Sequence, residues 1–226
     1  MKPGPMAPAA LAATTALCAL LAIASAPWAL GLPALNFIFK PLATIAIIAF
    51  ALQRGADQPL PRRWVLTGLL CSLAGDVALL WPQAGFLPGL VSFLLAHLAY
   101  LVAFTRLRPL AAHRLPFVAY ALVAGAVLWL LWSGVPAALR VPVLVYVVCL
   151  ASMAAQSAVL WRSGEPRGAV LALGGALFVA SDALLASNRF ATPLPMASLW
   201  ILPPYWLAQW CIAAWLAPPP RVQYPG

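Results

Sequence analysis

The chain has 226 residues, of which 65% are hydrophobic and 8% are charged. A soluble domain carries about 25% charged residues, so this composition excludes an ordinary soluble protein and predicts an integral membrane protein. We attribute the net charge of +9 to arginines in loops that face the cytoplasm, and expect no nucleic acid partner. The loops are too short for a soluble domain, which predicts a single transmembrane domain over residues 1–226 with a disordered tail at 218–226.

The apolar residues occur in runs of roughly 20, the length that a helix needs to cross about 30 Å of hydrocarbon. The first run imitates a signal peptide, but Pro27 follows the Ala-Ser-Ala site, and signal peptidase cleaves poorly before proline. We therefore keep it as a membrane helix. The prediction is an all-α, polytopic fold of eight transmembrane helices at residues 9–26, 33–52, 63–81, 86–105, 114–132, 140–161, 168–187 and 199–217.

Three of these helices have distinctive sequences. Gly68, Ser72 and Asp76 repeat at a spacing of four and give the third helix a small-residue face that allows close helix approach. The fifth helix has no strong hydrogen-bonding group inside and is expected to be a scaffold that faces lipid. Pro203–Pro204 is expected to break the eighth helix.

The basic residues predict the orientation of these helices. Eight spans place both termini on one side, where ten Lys and Arg residues fall, against only Arg140 and Arg189 on the other side. Cytoplasmic loops are enriched in Lys and Arg, so both termini are predicted to be cytoplasmic. In a bacterial cell the location would be the inner membrane.

Two of the four acidic residues, Asp76 and Asp182, stand at matching places in similar apolar segments. The segments are LAGDVALL at 73–80 and VASDALLA at 179–186. A charge at membrane depth costs several kcal/mol unless it is paired or protonated, so each carboxylate indicates a functional site. Their similarity also suggests two four-helix repeats.

Lys40 shares one polar stripe of the second predicted helix with Asn36 and Thr44, at a spacing of four residues. With a rise of 1.5 Å per residue, Lys40 falls in the same membrane layer as Asp76 and Asp182. We predict a polar pocket in this layer, open toward the outer leaflet or the bilayer. An alternative is a purely structural Lys40–Asp76 ion pair, with Asp182 hydrogen-bonded by Ser181. Further polar side chains predicted at this depth are His97, Tyr100, Tyr205 and Gln209.

Two carboxyl groups and one ammonium group in a low dielectric cannot all ionise independently. One carboxyl is expected to act as a general acid and the other as a general base or electrostatic stabiliser, which suits a reaction through an oxocarbenium ion. The GxSxG and HExxH patterns of serine and zinc hydrolases do not occur. The four cysteines lie inside apolar runs without metal-binding spacing. We expect neither a metal nor an organic cofactor.

Five segments carry a resemblance to a known family: KPLAT at 40–44, SLAGDVALL at 72–80, GLVSFLLAHLAY at 89–100, GGALFVASDALLA at 174–186 and YWLAQ at 205–209. In their order and spacing they resemble the YhhN-like family, whose members include lysoplasmalogenases of animal membranes. The resemblance covers residues 33–215 and implies eight spans. It also implies hydrolysis of the vinyl ether bond of lysoplasmenyl-phosphocholine or -ethanolamine to a fatty aldehyde and a glycerophospho-base. The family's intramembrane acidic residues match Asp76 and Asp182, and its Lys–Pro pair matches Lys40–Pro41.

A vinyl ether hydrolyses by protonation at carbon, which needs an acid close to the alkene. We hypothesise that one Asp delivers this proton, while the other stabilises the oxocarbenium ion and takes a proton from water. Lys40 sets the charge balance or reaches the lipid phosphate. The lysophospholipid would enter from among the membrane lipids, with its tail among the second, fourth and eighth predicted helices. The residues expected to bind substrate or orient water are Asn36, His97, Tyr100, Tyr205 and Gln209.

Two other classes of protein fit the same residues. A proton-coupled transporter also uses intramembrane Asp and Lys residues and internal repeats. A lipid-binding or assembly protein without catalysis would use the polar layer only to specify helix packing. The oligomeric state and the head-group preference are left open by the sequence.

Overall fold

The computed structural model describes residues 6–218, so Lys2, Arg221 and the predicted tail beyond Pro218 lie outside the described residues. Within residues 6–218 the chain forms α-helices and two short 3₁₀ turns, and no strand. This confirms the prediction of an all-α fold. The helices are α1 (Pro8–Ala24), α2 (Pro33–Leu52), α3 (Pro59–Ala78), α4 (Phe86–Thr105), α5 (Arg114–Leu131), α6 (Arg140–Arg162), α7 (Gly168–Phe190) and α8 (Ala197–Trp215).

Five of these helices, namely α2, α4, α5, α6 and α7, are long and apolar enough to cross a membrane. Helix α1 is apolar but has only 17 residues. Helix α3 carries the charges of Arg62, Arg63 and Asp76, and α8 includes Pro203 and Pro204. The five long apolar helices are typical of a multi-pass membrane protein, in agreement with the prediction of a polytopic fold.

The ends of α3 and α7, the helices that carry Asp76 and Asp182, differ from the predicted bounds. Helix α3 begins at Pro59 rather than at residue 63, because proline fits the first turn of a helix, where its missing N–H is not needed. It ends at Ala78 rather than 81, where the chain turns so tightly that a Cβ on Gly85 would lie 1.7 Å from the Ala78 carbonyl oxygen. Helix α7 continues to Phe190 rather than ending at 187, which brings Arg189 into its last turn.

The expected break of the eighth helix at Pro203 and Pro204 is wrong, since α8 runs unbroken from Ala197 to Trp215. The hydroxyl of Ser181 on α7 donates a hydrogen bond of 2.9 Å to the carbonyl oxygen of Ile201 on α8. This bond ties the proline-containing turn to the neighbouring helix.

Small residues let α3 approach α4 closely, as the predicted small-residue face of α3 requires. A Cβ on Gly68 would lie 2.2 Å from the ring of Tyr100, and a Cβ on Gly75 would lie 2.6 Å from the ring of Phe93. The α3–α4 and α7–α8 hairpins are the most extensively packed pairs of helices. Both aspartates therefore lie in tightly packed hairpins.

Helix α5 lies at the edge of the bundle and packs mainly against α6. Its side chains are mostly exposed, with Trp129 at 79% exposure, although the helix is strongly apolar. An exposed apolar face of this kind suits contact with lipid tails, as predicted for the fifth helix. The edge position of α5 leaves room for a groove behind it.

Candidate functional site

A groove lies between α4, α5, α6 and α7, and its space, including the part open to the outside, is about 950 Å³. Its walls are almost entirely apolar. Among the described lining residues, the polar side chains are Tyr120, Tyr146 and Asp182. An apolar groove with a carboxyl group in its wall can hold a hydrocarbon chain next to a group that transfers protons.

Asp182 is held in this wall by residues of two other helices. The hydroxyl of Tyr146 on α6 donates a hydrogen bond of 2.5 Å to Oδ2 of Asp182. Nε2 of His97 on α4 lies 3.6 Å from the same oxygen. None of the hydrogen bonds and ion pairs of residues 6–218 includes Oδ1, so Oδ1 is the oxygen that is left for a ligand in the groove.

The hydrogen bonds also indicate the tautomer of His97. Its Nε2 lies 3.0 Å from the Tyr146 hydroxyl oxygen, and the single proton of that hydroxyl is already donated to Asp182. A neutral His97 therefore donates from Nε2 to Tyr146. Its Nδ1 is buried without a hydrogen-bond partner in the described part of the chain, which suits an unprotonated nitrogen. The chain of donors runs from His97 to Tyr146 and ends at Oδ2 of Asp182.

Asp76 forms a second, fully buried cluster. Its Oδ1 lies 3.7 Å from Nζ of Lys40 on α2. Its Oδ2 accepts hydrogen bonds of 2.6 Å from Thr44 on α2 and 2.7 Å from Tyr205 on α8. An ammonium group and two hydroxyl donors stabilise the ionised carboxylate. Lys40 is thus paired with Asp76 and not with Asp182.

The predicted residues Tyr100 and Gln209 extend this second cluster. The Tyr100 hydroxyl donates a bond of 2.6 Å to Oε1 of Gln209, and Nε2 of Gln209 donates a long bond of 3.4 Å to the hydroxyl of Tyr205. Asn36 lies one helical turn before Lys40, and its Oδ1 is buried without a partner among residues 6–218. Substrate contact for these residues, none of which lines the groove, stays a prediction.

Aromatic rings separate the two clusters. Tyr205 packs edge-to-face against Phe93 and Phe178, each with 5.7 Å between ring centroids. Phe178 in turn packs against His97 at 4.6 Å. Phe93 also lines the groove, whereas Asp76 does not. The structure thus places the Asp182 cluster at the groove and the Asp76 cluster behind an aromatic wall.

Two details differ from the expectations. Ser181 bonds to Ile201, so it does not supply the hydrogen bond to Asp182 that the structural alternative expected. The large apolar groove lies among α4, α5, α6 and α7, not among the second, fourth and eighth helices where the lipid tail was expected. The reason is that α5, taken as scaffold from its sequence, leaves the space that forms the groove.

Tyr146 was not among the candidate residues, although a signal for it exists in the sequence. Tyr146 precedes Asp182 by 36 residues, and Lys40 precedes Asp76 by the same number. This equal spacing is the signal by which the partner of one aspartate points to the partner of the other. Residues 6–218 contain no group of three or more His, Cys, Asp or Glu side chains that could hold a metal ion.

Comparison with known proteins gives matches over most of the chain. The sequence profile of the YhhN family matches residues 35–216. The chain is 40% identical over 157 residues to lysoplasmalogenase TMEM86B of Sus scrofa, a match that covers 69% of this chain and 64% of that protein. It is 38% identical to the Homo sapiens TMEM86B over 62% of this chain and 58% of that protein.

A bacterial relative also matches. The lysoplasmalogenase of Mycobacterium bovis is 30% identical over 67% of this chain and 59% of that protein. Each of these three matches spans less than two thirds of the relative's own length. No solved structure matches the chain at a significant level.

Proposed function

Because the chain belongs to the YhhN family, we propose that it is a membrane-embedded hydrolase that cleaves the vinyl ether bond of lysoplasmalogens. The products would be a fatty aldehyde and a glycerophospho-base. The names of the relatives support this substrate. The observation that carries the proposal is the carboxyl group of Asp182 in the wall of an apolar groove, where a single-chain lipid would bring its alkene against an acid.

The pairing of Lys40 assigns the roles of the two aspartates. Lys40 lies against Asp76, so Asp76 carries the negative charge that balances the ammonium group. Asp182 is paired with no Lys or Arg among the described residues and lines the groove, so this proposal assigns to it the delivery of the proton. That proton sits on Oδ1, because Oδ2 already accepts the hydrogen bond from Tyr146.

The reaction begins when the Oδ1 proton of Asp182 passes to the alkene carbon that is not bonded to oxygen. A C–H bond forms, the double bond is lost, and the neighbouring carbon and ether oxygen share the positive charge as an oxocarbenium ion. Asp182 is now a carboxylate beside that cation, and the hydrogen bond from Tyr146 stabilises its new charge. The apolar walls keep bulk water away from this ion pair.

A water molecule then attacks the oxocarbenium carbon, and Asp182 takes the proton that this water loses. The resulting hemiacetal breaks its bond to the glycerol oxygen, which receives a proton, while the hemiacetal hydroxyl loses one and becomes the aldehyde. One molecule of water is consumed, and Asp182 is again protonated. A single carboxyl group at the groove can therefore carry out both proton transfers.

Asp76 and Lys40 act as positioning residues in this proposal. They lie behind the wall formed by Phe93, Phe178 and Tyr205. Their ion pair joins α2 to α3, and the hydrogen bond from Tyr205 joins Asp76 to α8. Tyr100 and Gln209 support the same cluster through Tyr205, whereas His97 supports Tyr146. The two-aspartate mechanism predicted from the sequence thus becomes one reacting aspartate and one that holds the aromatic wall.

The proposal includes the number of membrane spans, their orientation and the membrane in which they lie. We infer one transmembrane domain of eight spans with both termini in the cytoplasm and, in a bacterium, a location in the inner membrane. The positive-inside count supports the orientation. Two related four-helix halves are supported by the carboxylate contacts: Asp76 on α3 contacts α2 and α8, and Asp182 on α7 contacts α6 and α4. Counting four helices onward from α3, α2 and α8, and returning to α1 after α8, gives α7, α6 and α4.

The proposal is tested by aldehyde release from the purified protein in mild detergent. The two substrates are lysoplasmenyl-phosphoethanolamine and its saturated 1-alkyl analogue, which has no alkene to protonate. We expect aldehyde from the vinyl ether and none from the alkyl ether. A well-folded protein that releases no aldehyde would overturn the proposal, and proton-dependent flux into liposomes without any product would favour a transporter.

A further inference from the structure

Arg189 places a positive charge at one end of the groove. It lies in the last turn of α7, and its guanidinium carbon is 4.9 Å from the ring centroid of Phe86 at the start of α4. Phe86 and the neighbouring Phe190 both line the groove. None of the ion pairs among residues 6–218 includes Arg189, so its charge is available to a ligand at the rim.

Arg189 and Asp182 share one face of α7. Their positions are seven apart in the sequence, which is close to two full helical turns and about 10 Å along the helix axis. The guanidinium group of Arg189 lies over Phe86, which lines the same groove as Asp182. The groove therefore has an acid in its wall and a cation at its rim on the same side.

We propose that Arg189 binds the phosphate group of the lipid substrate and thereby places the vinyl ether at Asp182. This inference rests on the proposed function, since it assigns the phosphate of the same lysophospholipid. Lys40 was the residue expected from the sequence to reach this phosphate. It is buried against Asp76 and away from the groove, which leaves Arg189 as the cation at the site.

The dimensions of the lipid agree with this assignment. In a 1-alkenyl glycerophospholipid, seven bonds join the phosphorus atom to the alkene carbon that takes the proton. At about 1.2 Å per bond of an extended chain, this distance is about 8 Å. It is comparable with the axial separation of about 10 Å between Arg189 and Asp182. A phosphate held by Arg189 therefore sets the alkene at the depth of Asp182.

The guanidinium group of Arg189, stacked on Phe86, is suited to binding a phosphate group. The planar guanidinium group binds a phosphate through two parallel hydrogen bonds, whereas the Phe86 ring under it offers no competing anion. Of the two arginines predicted on the outer side, neither lines the groove itself. Arg189 lies over Phe86, which lines the groove, whereas Arg140 stacks at 5.2 Å on Trp132, which does not. Arg140 thus provides a matched control with the same charge in the same part of the protein.

The test compares the wild type, Arg189→Gln and Arg140→Gln on two vinyl ethers, lysoplasmenyl-phosphoethanolamine and 1-alkenylglycerol, which lacks the phosphate. Arg189→Gln is expected to raise KM for the phospholipid by roughly tenfold or more, to change kcat little, and to leave KM for alkenylglycerol unchanged. Arg140→Gln should match the wild type on both. A purely structural defect would instead affect both substrates equally, and this result would overturn the inference.

A binding experiment separates the failure of this inference from the failure of the proposed function. A saturated 1-alkyl lysophosphoethanolamine and 1-alkylglycerol are titrated against each protein by calorimetry in detergent micelles. The inference requires that Arg189→Gln weakens binding of the phospholipid alone, whether or not the wild type releases aldehyde. Equal binding of the phospholipid by the wild type and Arg189→Gln overturns it, even if aldehyde release has confirmed the hydrolase.

Discussion

The reactivity proposed for Asp182 depends on one hydroxyl group, that of Tyr146. The hydrogen bond from Tyr146 occupies Oδ2 of the carboxyl group and leaves Oδ1 to the groove. His97, which is fully buried, holds the hydroxyl oxygen in turn. The proton donor of the site is thus oriented by two residues, of which only Tyr146 reaches the groove itself.

We expect Tyr146→Phe to lower kcat by roughly 10-fold to 100-fold, since a hydrogen bond to a charged group contributes about 1.5–3 kcal/mol. KM should change little, because the phenyl ring still fills its place in the wall. Aldehyde release measured at several lipid concentrations separates the effect on kcat from the effect on KM. The control is Tyr120→Phe, since Tyr120 lines the same groove and forms none of the described side-chain hydrogen bonds. Equal effects of the two substitutions would contradict the role of Tyr146.

The charged residues of the site could be predicted from the sequence, but their pairing could not. Asp76, Asp182 and Lys40 were recognisable because a charge in an apolar run is costly, whatever the details of the fold. The pairing of Lys40 with Asp76 rather than Asp182 depends on how each helix is rotated, and an apolar run does not specify rotation. Tyr146 looked like an ordinary core tyrosine for the same reason.

Among the helices, the close contact of α3 with α4 connects packing to the Asp76 cluster. Gly68 lies directly under the ring of Tyr100, whose hydroxyl bonds to Gln209 on α8. A side chain at position 68 would push this ring away from Gln209. The glycine therefore maintains both the α3–α4 contact and the hydrogen bonds that lead to Tyr205 and Asp76.

We expect Gly68→Ala to destabilise the protein by about 1–3 kcal/mol, the usual cost of overpacking a core, and to lower activity through the displaced aromatic wall. Gly125→Ala is the control, because a Cβ there meets nothing within 4 Å and alanine favours a helix by about 1 kcal/mol. Unfolding in a detergent titration, followed by circular dichroism, measures both changes. A Gly68→Ala protein as stable as the wild type would show that the α3–α4 contact is looser than described.

The helices themselves were largely predictable, and their ends were not. Runs of about 20 apolar residues identify a helix because the backbone must satisfy its own hydrogen bonds in lipid. The ends depend on local contacts, such as the tight approach of Gly85 to Ala78 after α3. The unbroken α8 is also not indicated by the local sequence around Pro203 and Pro204, since a proline inside a run normally predicts a break.

In the molecule as a whole, the groove exists because α5 stands at the edge of the bundle and only partly covers α4, α6 and α7. Apolar residues line the groove and also face the lipid, so the sequence does not distinguish the two surfaces. Ala124 of α5 lines the groove, whereas Ala126 on the same helix is exposed and does not. This pair of alanines allows the groove to be tested as a substrate site.

We expect Ala124→Trp to fill part of the groove and to lower kcat/KM for a lysoplasmalogen by roughly tenfold or more, since a bulky ring excludes the lipid chain. Ala126→Trp adds the same ring to the lipid-facing side and should retain wild-type activity. Aldehyde release is measured for both proteins at several lipid concentrations. If the two variants behaved alike, the lipid chain would have to lie elsewhere in the bundle.

The central claim is that the groove-lining Asp182 supplies the proton that breaks the vinyl ether. The most direct measurement is aldehyde release from lysoplasmenyl-phosphoethanolamine by the wild type, by Asp182→Asn and by Asp57→Asn, which neutralises an exposed loop carboxylate. Size-exclusion chromatography and circular dichroism establish that each protein is folded. We predict aldehyde from the wild type and Asp57→Asn, and at least about 100-fold less from Asp182→Asn. A folded Asp182→Asn protein with wild-type turnover would contradict the claim.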